Sequence, residues 1–314
     1  MDSHVQLFQH SDHISGLFKI ENKEFRLDAL EKKDGFNRHM VFYNPLDMPV
    51  VPHVCTSGLH HRPSQNINLK RIYKRQKNTT IKSCRMGLLA DSSFQKQYGK
   101  DAQSKMVEAI ELASQIYQQT FKVKLEVANI QFLTDTSLDI NQATTINGAL
   151  EALATDAGKA KSQNYCLNHL FTSKNFGTTV GLSYRPQSAY QVKGGICTGE
   201  ASDSLNFGVS TSVNYNGMLN QFAWHATVVH EISHGFSAMH DEDTVKCANI
   251  KGKFMNAAVG DTTTAITGFS ACSLSDISSN FDSCMPYYTF NCVSRAINAN
   301  FRELKQKIFR WRKI

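Results

Sequence analysis

From residue 84 onward, the spacing of hydrophobic positions switches repeatedly between two periods, and this predicts an alternating series of strands and helices. Residues 122–133 place apolar side chains at about every second position, which is typical of a strand. Residues 101–117 place them at every third or fourth position, which is typical of an amphipathic helix. We further predict strands at 84–90, 165–172 and 178–184, and helices at 146–160 and 222–235. This order predicts an α/β fold with helices packed on a mostly parallel sheet.

The chain on either side of this series has a different character. Residues 1–67 hold four of the six prolines and predict short strands and turns with a weak core of their own. Residues 68–80 are basic and polar, as expected for a linker, and include the pair Lys74-Arg75. Processing proteases cut after such pairs, although the pairs also arise by chance in a basic chain. We therefore divide the chain into a segment at 1–75, a main domain at 76–293 and a basic tail at 294–314. The tail fits either an unstructured end or a helix that binds a surface.

Composition excludes several classes of protein. Of the 314 residues, 41% are apolar and 19% are charged, which is enough to bury a core and excludes wholesale disorder. The net charge of +7 comes from 34 basic and 27 acidic residues that are interspersed, so a solvated surface is favoured over a nucleic-acid interface. The sequence has no run of about 18 apolar residues of the kind that would predict a membrane-spanning helix. No hydrophobic stretch near Met1 predicts a signal peptide.

The cysteines indicate an oxidising compartment. None of the eight forms a C-x-x-C pair, which argues against a zinc ribbon or a thioredoxin-like motif. Scattered single cysteines suit long-range disulfides, which form in the secretory pathway. We therefore expect an extracellular or cell-surface location, with the targeting segment absent from this sequence.

The sequence HEISHGFSAMHD at 230–241 carries the candidate chemistry. His230 and His234 stand one turn apart on one face of the predicted helix, so both imidazoles can reach one Zn²⁺. Glu231 lies about 100° around the helix and can reach a water on the metal. On a continuing helix, His240 would lie about 9 Å further along the axis, so the chain must turn back, which Gly235 permits. Three histidines leave the fourth position of a tetrahedral zinc open, and this is the arrangement of catalytic sites.

This segment resembles the metzincin signature H-E-x-x-H-x-x-G-x-x-H-D, and the final aspartate is typical of the adamalysin (reprolysin) branch, the ADAM metalloproteases of peptidase family M12B. The sequence GKFMNAA at 252–258 looks like the Met-turn of that family, and GFSACS at 268–273 matches its F-S-x-C-S. Residues 170–172 and 179–184 resemble the strand that lines its substrate cleft. The resemblance runs from about residue 84 to residue 284 and looks closest to the ADAM10/ADAM17-like and fungal ADAM branch. It implies a metzincin (zincin-like) catalytic domain with an irregular, disulfide-braced C-terminal subdomain.

The resemblance also implies an activity, that of a zinc metalloendopeptidase with one Zn²⁺ that hydrolyses protein or peptide substrates. His230, His234 and His240 would be the metal ligands. Glu231 would be the general base for a metal-activated water, and Met255 would be the methionine of the Met-turn. An extended substrate would add to the sheet edge along Thr179, Val180, Gly181 and Leu182. We expect a monomer with no nucleic-acid partner, and membrane association only through regions absent from this chain.

Cysteine pairing and latency follow from the same resemblance. The implied disulfides are Cys84–Cys166, Cys197–Cys284 and Cys247–Cys272, and Cys292 could replace Cys284. Cys55 looks like the cysteine switch of a pro-segment, whose thiolate occupies the open zinc position until the segment is cut off. The alternative for Cys55 is an incidental free thiol.

One position departs from the family pattern. Ser237 stands where the signature has glycine, and Gly235 stands where the family usually has asparagine. If residue 237 adopts a left-handed conformation, serine costs about 1 kcal/mol there, unless a turn shifted to Gly235 relieves the strain. Ser237 therefore keeps a second function open, that of a catalytically impaired pseudoprotease acting as a binding module.

Overall fold

The computed structural model describes two parts of the chain in different detail. Side chains are described for residues 82–135, 138–155, 165–186, 194–196, 205–215, 217–258 and 266–279. Elsewhere, only the backbone of five N-terminal strands, one residue of a later strand and the end of the last helix are described. All structural statements below refer to these residues.

The N-terminal segment forms a small antiparallel sheet in the order β1-β2-β3-β4. Its strands are β1 His4–Gln9, β2 Ile14–Ile20, β3 Lys23–Ala29 and β4 Met40–Tyr43. A short strand β5, His53–Val54, follows and does not join this sheet. Short strands, as predicted for this segment, are therefore present.

The main domain is built on a five-stranded sheet in the order β7-β6-β8-β10-β9, in which only β9 is antiparallel to its neighbour. Two further strand pairs are short: β11 with β12, and β13 with β5. The strands are β6 Lys82–Asp91, β7 Val123–Leu133, β8 Leu167–Thr172, β9 Gly181–Ser183, β10 Phe207–Thr211, β11 Val213–Asn214, β12 Gly217–Met218 and β13 Ala258–Val259. The predicted mixed, mostly parallel sheet is confirmed.

Helices pack on both faces of the sheet. They are α1 Ser92–Tyr98, α2 Ala102–Phe121, α3 Asp139–Gln142, α4 Ile146–Ala154, α5 Gln221–Gly235 and α6 Ala271–Tyr288. Helices α2 and α5 bury one apolar cluster against the sheet, where Phe94, Phe171 and Trp224 meet with ring centroids 5.7–5.9 Å apart. Helix α4 buries a second cluster on the other side, including Leu150 and Leu170. The result is the α/β architecture that the sequence predicts.

Two disulfides join distant parts of this domain. Cys84 at the start of β6 is bonded to Cys166 just before β8, and Cys247 is bonded to Cys272 in α6. Both are among the pairs that the family resemblance implies. Among the described residues, no helix is long and apolar enough to cross a membrane.

Some boundaries and elements differ from the predictions. Helix α4 ends at Ala154, because Thr155 is already extended, and β9 is shorter than the predicted strand at 178–184. Helices α1, α3 and α6 and strands β10 to β13 were not predicted. Helix α6 is rich in serine, which is a weak helix former, and this hides its periodicity. The hydroxyl of Ser270 accepts a hydrogen bond from the amide of Ser273 at 3.1 Å, and this N-cap is the signal that could have marked the start of α6.

Candidate metal centre

Helix α5 positions two candidate metal ligands deep in the domain. The side chain of Asn220 caps its N-terminus and accepts a hydrogen bond from the amide of Ala223 at 2.8 Å. His230 and His234 are fully buried, with ring centroids 4.6 Å apart. Their i, i+4 spacing therefore places both rings on one face of a buried helix.

A tight turn after α5 brings back the third histidine. The amide of Ala238 donates to the carbonyl of Ser233 at 3.0 Å, and the amide of Ser237 donates to the carbonyl of His234 at 2.8 Å, which is the Schellman pattern. Ser237 occupies the position that requires a positive φ, and its φ is 89°. The chain then places Nε2 of His240 at 3.2 Å from Nε2 of His234.

Gly235 does not make this turn, and in this respect the sequence prediction was wrong. Gly235 is the last residue of α5 and does not have a positive φ. A Cβ at this position would lie 3.0 Å from both methyl carbons of Leu167, so the glycine allows α5 to approach β8 closely. The strain at Ser237 is therefore present and is not relieved by a shifted turn.

The three histidines fit a single zinc ion. Nε2 of His240 lies 3.2 Å from Nε2 of His230 and of His234, and nitrogens about 2.0–2.1 Å from a tetrahedral zinc are separated by roughly 3.3–3.4 Å. Nδ1 of His230 lies 2.5 Å from the carbonyl of Phe254, and Nδ1 of His234 lies 2.8 Å from that of Ala238. Donation from both Nδ1 atoms leaves the Nε2 lone pairs facing the shared centre. Burial and the neighbouring histidines lower the pKa of His234 well below its ordinary value, which favours the neutral form that binds metal.

Two segments support the centre from outside the histidines. The amide of Asp241, the residue after His240, donates to the carbonyl of the buried Met255 at 2.9 Å. The Asp241 carboxylate accepts hydrogen bonds from the hydroxyls of Ser270 at 2.5 Å and Ser273 at 2.8 Å. Burial raises the pKa of Asp241, and the two hydroxyls oppose that shift. The motif at 268–273 thus anchors the irregular segment that carries His240, and the sequence alone did not predict this contact.

Glu231 is buried between α5 and β9. Its exposed fraction is 1%, and its Oε1 fills the space where a Cβ on Gly181 would stand. Gly181 is therefore required by the position of the carboxylate. The neighbouring Val180 and Leu182 are also buried, whereas Thr179 is half-buried. Of the four residues predicted to bind substrate, the structure brings Gly181 directly against Glu231.

A group of half-buried charges near the ligands was missed by the sequence analysis. Burial lowers the pKa of Arg185, while Asp276 and Asp243 oppose that shift. Asp276 accepts a hydrogen bond from the amide of Met239 at 3.1 Å, and burial raises the pKa of Asp276 to about 6. No local spacing relates residue 185 to residue 276, so only the folded chain reveals this group.

Other predicted site residues lie outside the described part of the chain. These are Cys55, Cys197 and Cys292, together with the linker that contains Lys74-Arg75, while Cys284 lies on the part of α6 for which only the backbone is described. The third implied disulfide and the candidate cysteine switch therefore remain predictions.

A buried helix carrying H-E-x-x-H, with a third histidine turned back towards it, defines a class of proteins, the metallopeptidases. Residues 80–294 match the family model for metallopeptidase family M12, of the reprolysin type. This match covers more than half of the chain, and the chain therefore belongs to metallopeptidase family M12.

Two curated relatives agree with this assignment. The Caenorhabditis elegans disintegrin and metalloproteinase domain-containing protein 10 homolog is 33% identical over 24% of this chain and 10% of its own length. The Aspergillus fumigatus disintegrin and metalloproteinase domain-containing protein B is 25% identical over 62% of this chain and 27% of its own length. The chain thus spans about a tenth and about a quarter of the relatives that it matches, and the similarity is to ADAM-type metalloproteases.

Proposed function

We propose that this chain is a zinc-dependent metalloendopeptidase that hydrolyses peptide bonds in protein or peptide substrates. The observation that carries the proposal is the convergence of three buried histidine Nε2 atoms next to the buried carboxylate of Glu231. A set of three histidines leaves one position of a tetrahedral zinc for water or substrate, as in catalytic rather than structural sites.

The roles of the protein groups follow from their positions. When bound by His230, His234 and His240, zinc would polarise the scissile carbonyl and lower the pKa of a water molecule. Glu231 would accept the proton of the attacking water and pass it to the leaving amine. The contact of Glu231 with Gly181 holds its carboxylate near the strand where substrate would lie.

Substrate binding is proposed along β9, which is an edge strand of the described five-stranded sheet. The side chains of Val180 and Leu182 are buried, so the strand would offer its backbone to an extended peptide. Strand addition of this kind uses main-chain hydrogen bonds for affinity and side-chain pockets for specificity. Thr179, which is half-buried, would contact substrate at the start of this segment.

Latency through the segment at 1–75 is also part of the proposal. Strand β5 pairs antiparallel with β13, with Val54 opposite Ala258, so the N-terminal segment reaches the chain just after Met255. Cys55 is the next residue after β5. This pairing supports a switch in which the Cys55 thiolate takes the open zinc position until cleavage after Arg75 removes the segment.

We also propose a division of the chain into a pro-segment at 1–75, a catalytic domain at 76–293 and a basic tail at 294–314. We also propose a monomer that works outside the cell or at its surface, because its disulfides suit an oxidising compartment.

The test begins with the full chain produced in an oxidising host, for which zinc content and cleavage of a protein substrate are measured before and after digestion at the dibasic linker. We expect about one zinc per chain and cleavage that rises after digestion. Glu231→Gln is the matched control, because it keeps the size of the side chain and removes the base. It should retain zinc and lose cleavage by a factor of roughly a hundred or more.

Two outcomes would contradict the proposal. A chain without zinc would remove its basis. Zinc at full occupancy without cleavage, even after digestion, would leave a metal-binding module without protease activity, as the strained Ser237 could produce. A Cys55→Ser chain that stays inactive before digestion would refute the thiolate switch alone.

A further inference from the structure

A small cavity lies directly behind Glu231, between α5 and the strands β8, β9 and β10. Its volume is about 10 Å³, which is room for the centre of one water molecule. Its polar lining comes from Asn168, His169, Ser183 and Glu231. An apolar cavity of this size would stay dry, whereas this one presents several hydrogen-bonding groups.

Gly208 keeps the cavity open. A Cβ at this position would lie 3.3 Å from Nδ1 of His169 and impossibly close to the hydroxyl of Ser183. Both polar groups therefore face the same space above β10. The second ring nitrogen of His169 is occupied elsewhere, because Nε2 lies 2.9 Å from the hydroxyl of Ser210.

Ser183 provides the strongest pointer to a ligand in this space. It is 2% exposed, and among the described residues its hydroxyl has no hydrogen-bond partner. Buried hydroxyls are normally paired with protein or with ordered water. His169 is fully buried and burial lowers its pKa to about 3, so its ring is neutral near pH 7 and can accept or donate one hydrogen bond through Nδ1.

We propose that one water molecule binds in this cavity, held by the Ser183 hydroxyl and Nδ1 of His169, and that it hydrogen-bonds to the carboxylate of Glu231. A buried water typically makes two to four hydrogen bonds, and these three groups supply them. The water links β9, where substrate is proposed to bind, to the carboxylate proposed as the base. Ser183 is thus a positioning residue for Glu231, and this role rests on the proposed protease function, whereas the water site does not.

The first test is a crystal structure of the full chain at about 1.5 Å resolution, alone and as Ser183→Ala. We expect an ordered water within hydrogen-bonding distance of the Ser183 hydroxyl and of a Glu231 oxygen, and no ordered water there in Ser183→Ala. Native crystals with no density in the cavity would overturn the proposal, whether or not the chain proves to be a protease.

The second test measures the kinetics of peptide cleavage and zinc content. Ser183→Ala should lower kcat by roughly threefold to tenfold, with zinc content and KM unchanged, because only the orientation of Glu231 is altered. Ser275→Ala is the matched control, since Ser275 also has a buried hydroxyl without a partner among the described residues but does not line this cavity. An unchanged kcat in Ser183→Ala, or an equal loss in Ser275→Ala, would refute the positioning role. If the native chain cleaves nothing, the crystallographic result alone decides the water site.

Discussion

Replacing Ser237 by glycine should stabilise the domain, although the change deletes a side chain. The φ of 89° at Ser237 lies in a region that residues with a Cβ adopt at a cost of about 1–2 kcal/mol. Glycine relieves that cost but gives the unfolded chain more freedom, which offsets about 0.5–1 kcal/mol. The described structure contains no hydrogen bond from the Ser237 hydroxyl that the substitution would break. The net expectation is a gain of about 0.5–1 kcal/mol, or roughly 1–4 °C in Tm.

The assay is urea unfolding of the full chain, saturated with zinc and followed by tryptophan fluorescence, because Trp224 is buried in the core. Ser237→Ala is the matched control. It keeps the Cβ that causes the strain, so its unfolding free energy should stay within about 0.5 kcal/mol of that of the native chain. Ser237→Val should be the least stable, since a β-branched residue tolerates positive φ poorly. If the glycine variant is no more stable than the alanine variant, the turn is not strained and the reasoning fails.

Three further predictions concern other parts of the domain. Burial raises the pKa of Asp276 from 3.8 to about 6, so the native state holds a proton that the unfolded chain releases, and stability should fall as the pH rises from about 4 to 6. Asp276→Asn should remove at most about 3 kcal/mol of that fall, measured as the difference between the urea-unfolding free energies of the two chains across this pH range. Parallel pH profiles of the two chains would contradict this prediction. Gly181→Ala should displace the Glu231 carboxylate and lower kcat roughly a hundredfold at unchanged zinc content. Full activity in this variant would show that the carboxylate can act from a different position. Replacing Cys247 and Cys272 together by alanine should lower the unfolding free energy by about 3.5 kcal/mol, because the disulfide closes a loop with a sequence separation of 25. A loss below about 1 kcal/mol would mean that the unfolded chain is already compact in this region.

The sequence predicted the elements whose apolar pattern is strong. Helix α5 and strands β6 and β7 lie within one or two residues of the predicted bounds, because each buries a periodic set of side chains. Helix α6 escaped prediction because its serines conceal the pattern. The hydroxyls of its N-cap Ser270 and of Ser273 donate hydrogen bonds to Asp241, a contact that forms only when the chain has folded.

The metal ligands were predictable for a different reason. The separation of His230 and His234 carries its own geometry once the segment is a helix. The turn after α5 was harder to predict, since the sequence alone suggested that Gly235 makes the turn. In the structure the positive φ falls on Ser237, and Gly235 instead allows close packing against Leu167. The polar cavity behind Glu231 is lined by residues of four strands and of α5, so no single stretch of sequence reveals it.

The burial of α5 should give the two parts of the metal centre different opening rates. Thirteen of its fifteen residues are buried, so amides in the middle of this helix should exchange with deuterium only when the whole domain unfolds. His240 lies instead on an irregular segment held by the Met255 carbonyl, Asp241 and the Cys247–Cys272 bond. Stripping the metal should therefore speed exchange in residues 238–256 and leave the centre of α5 protected. The domain would keep two ligands preorganised in the absence of metal, and zinc uptake would amount to closing the third onto them.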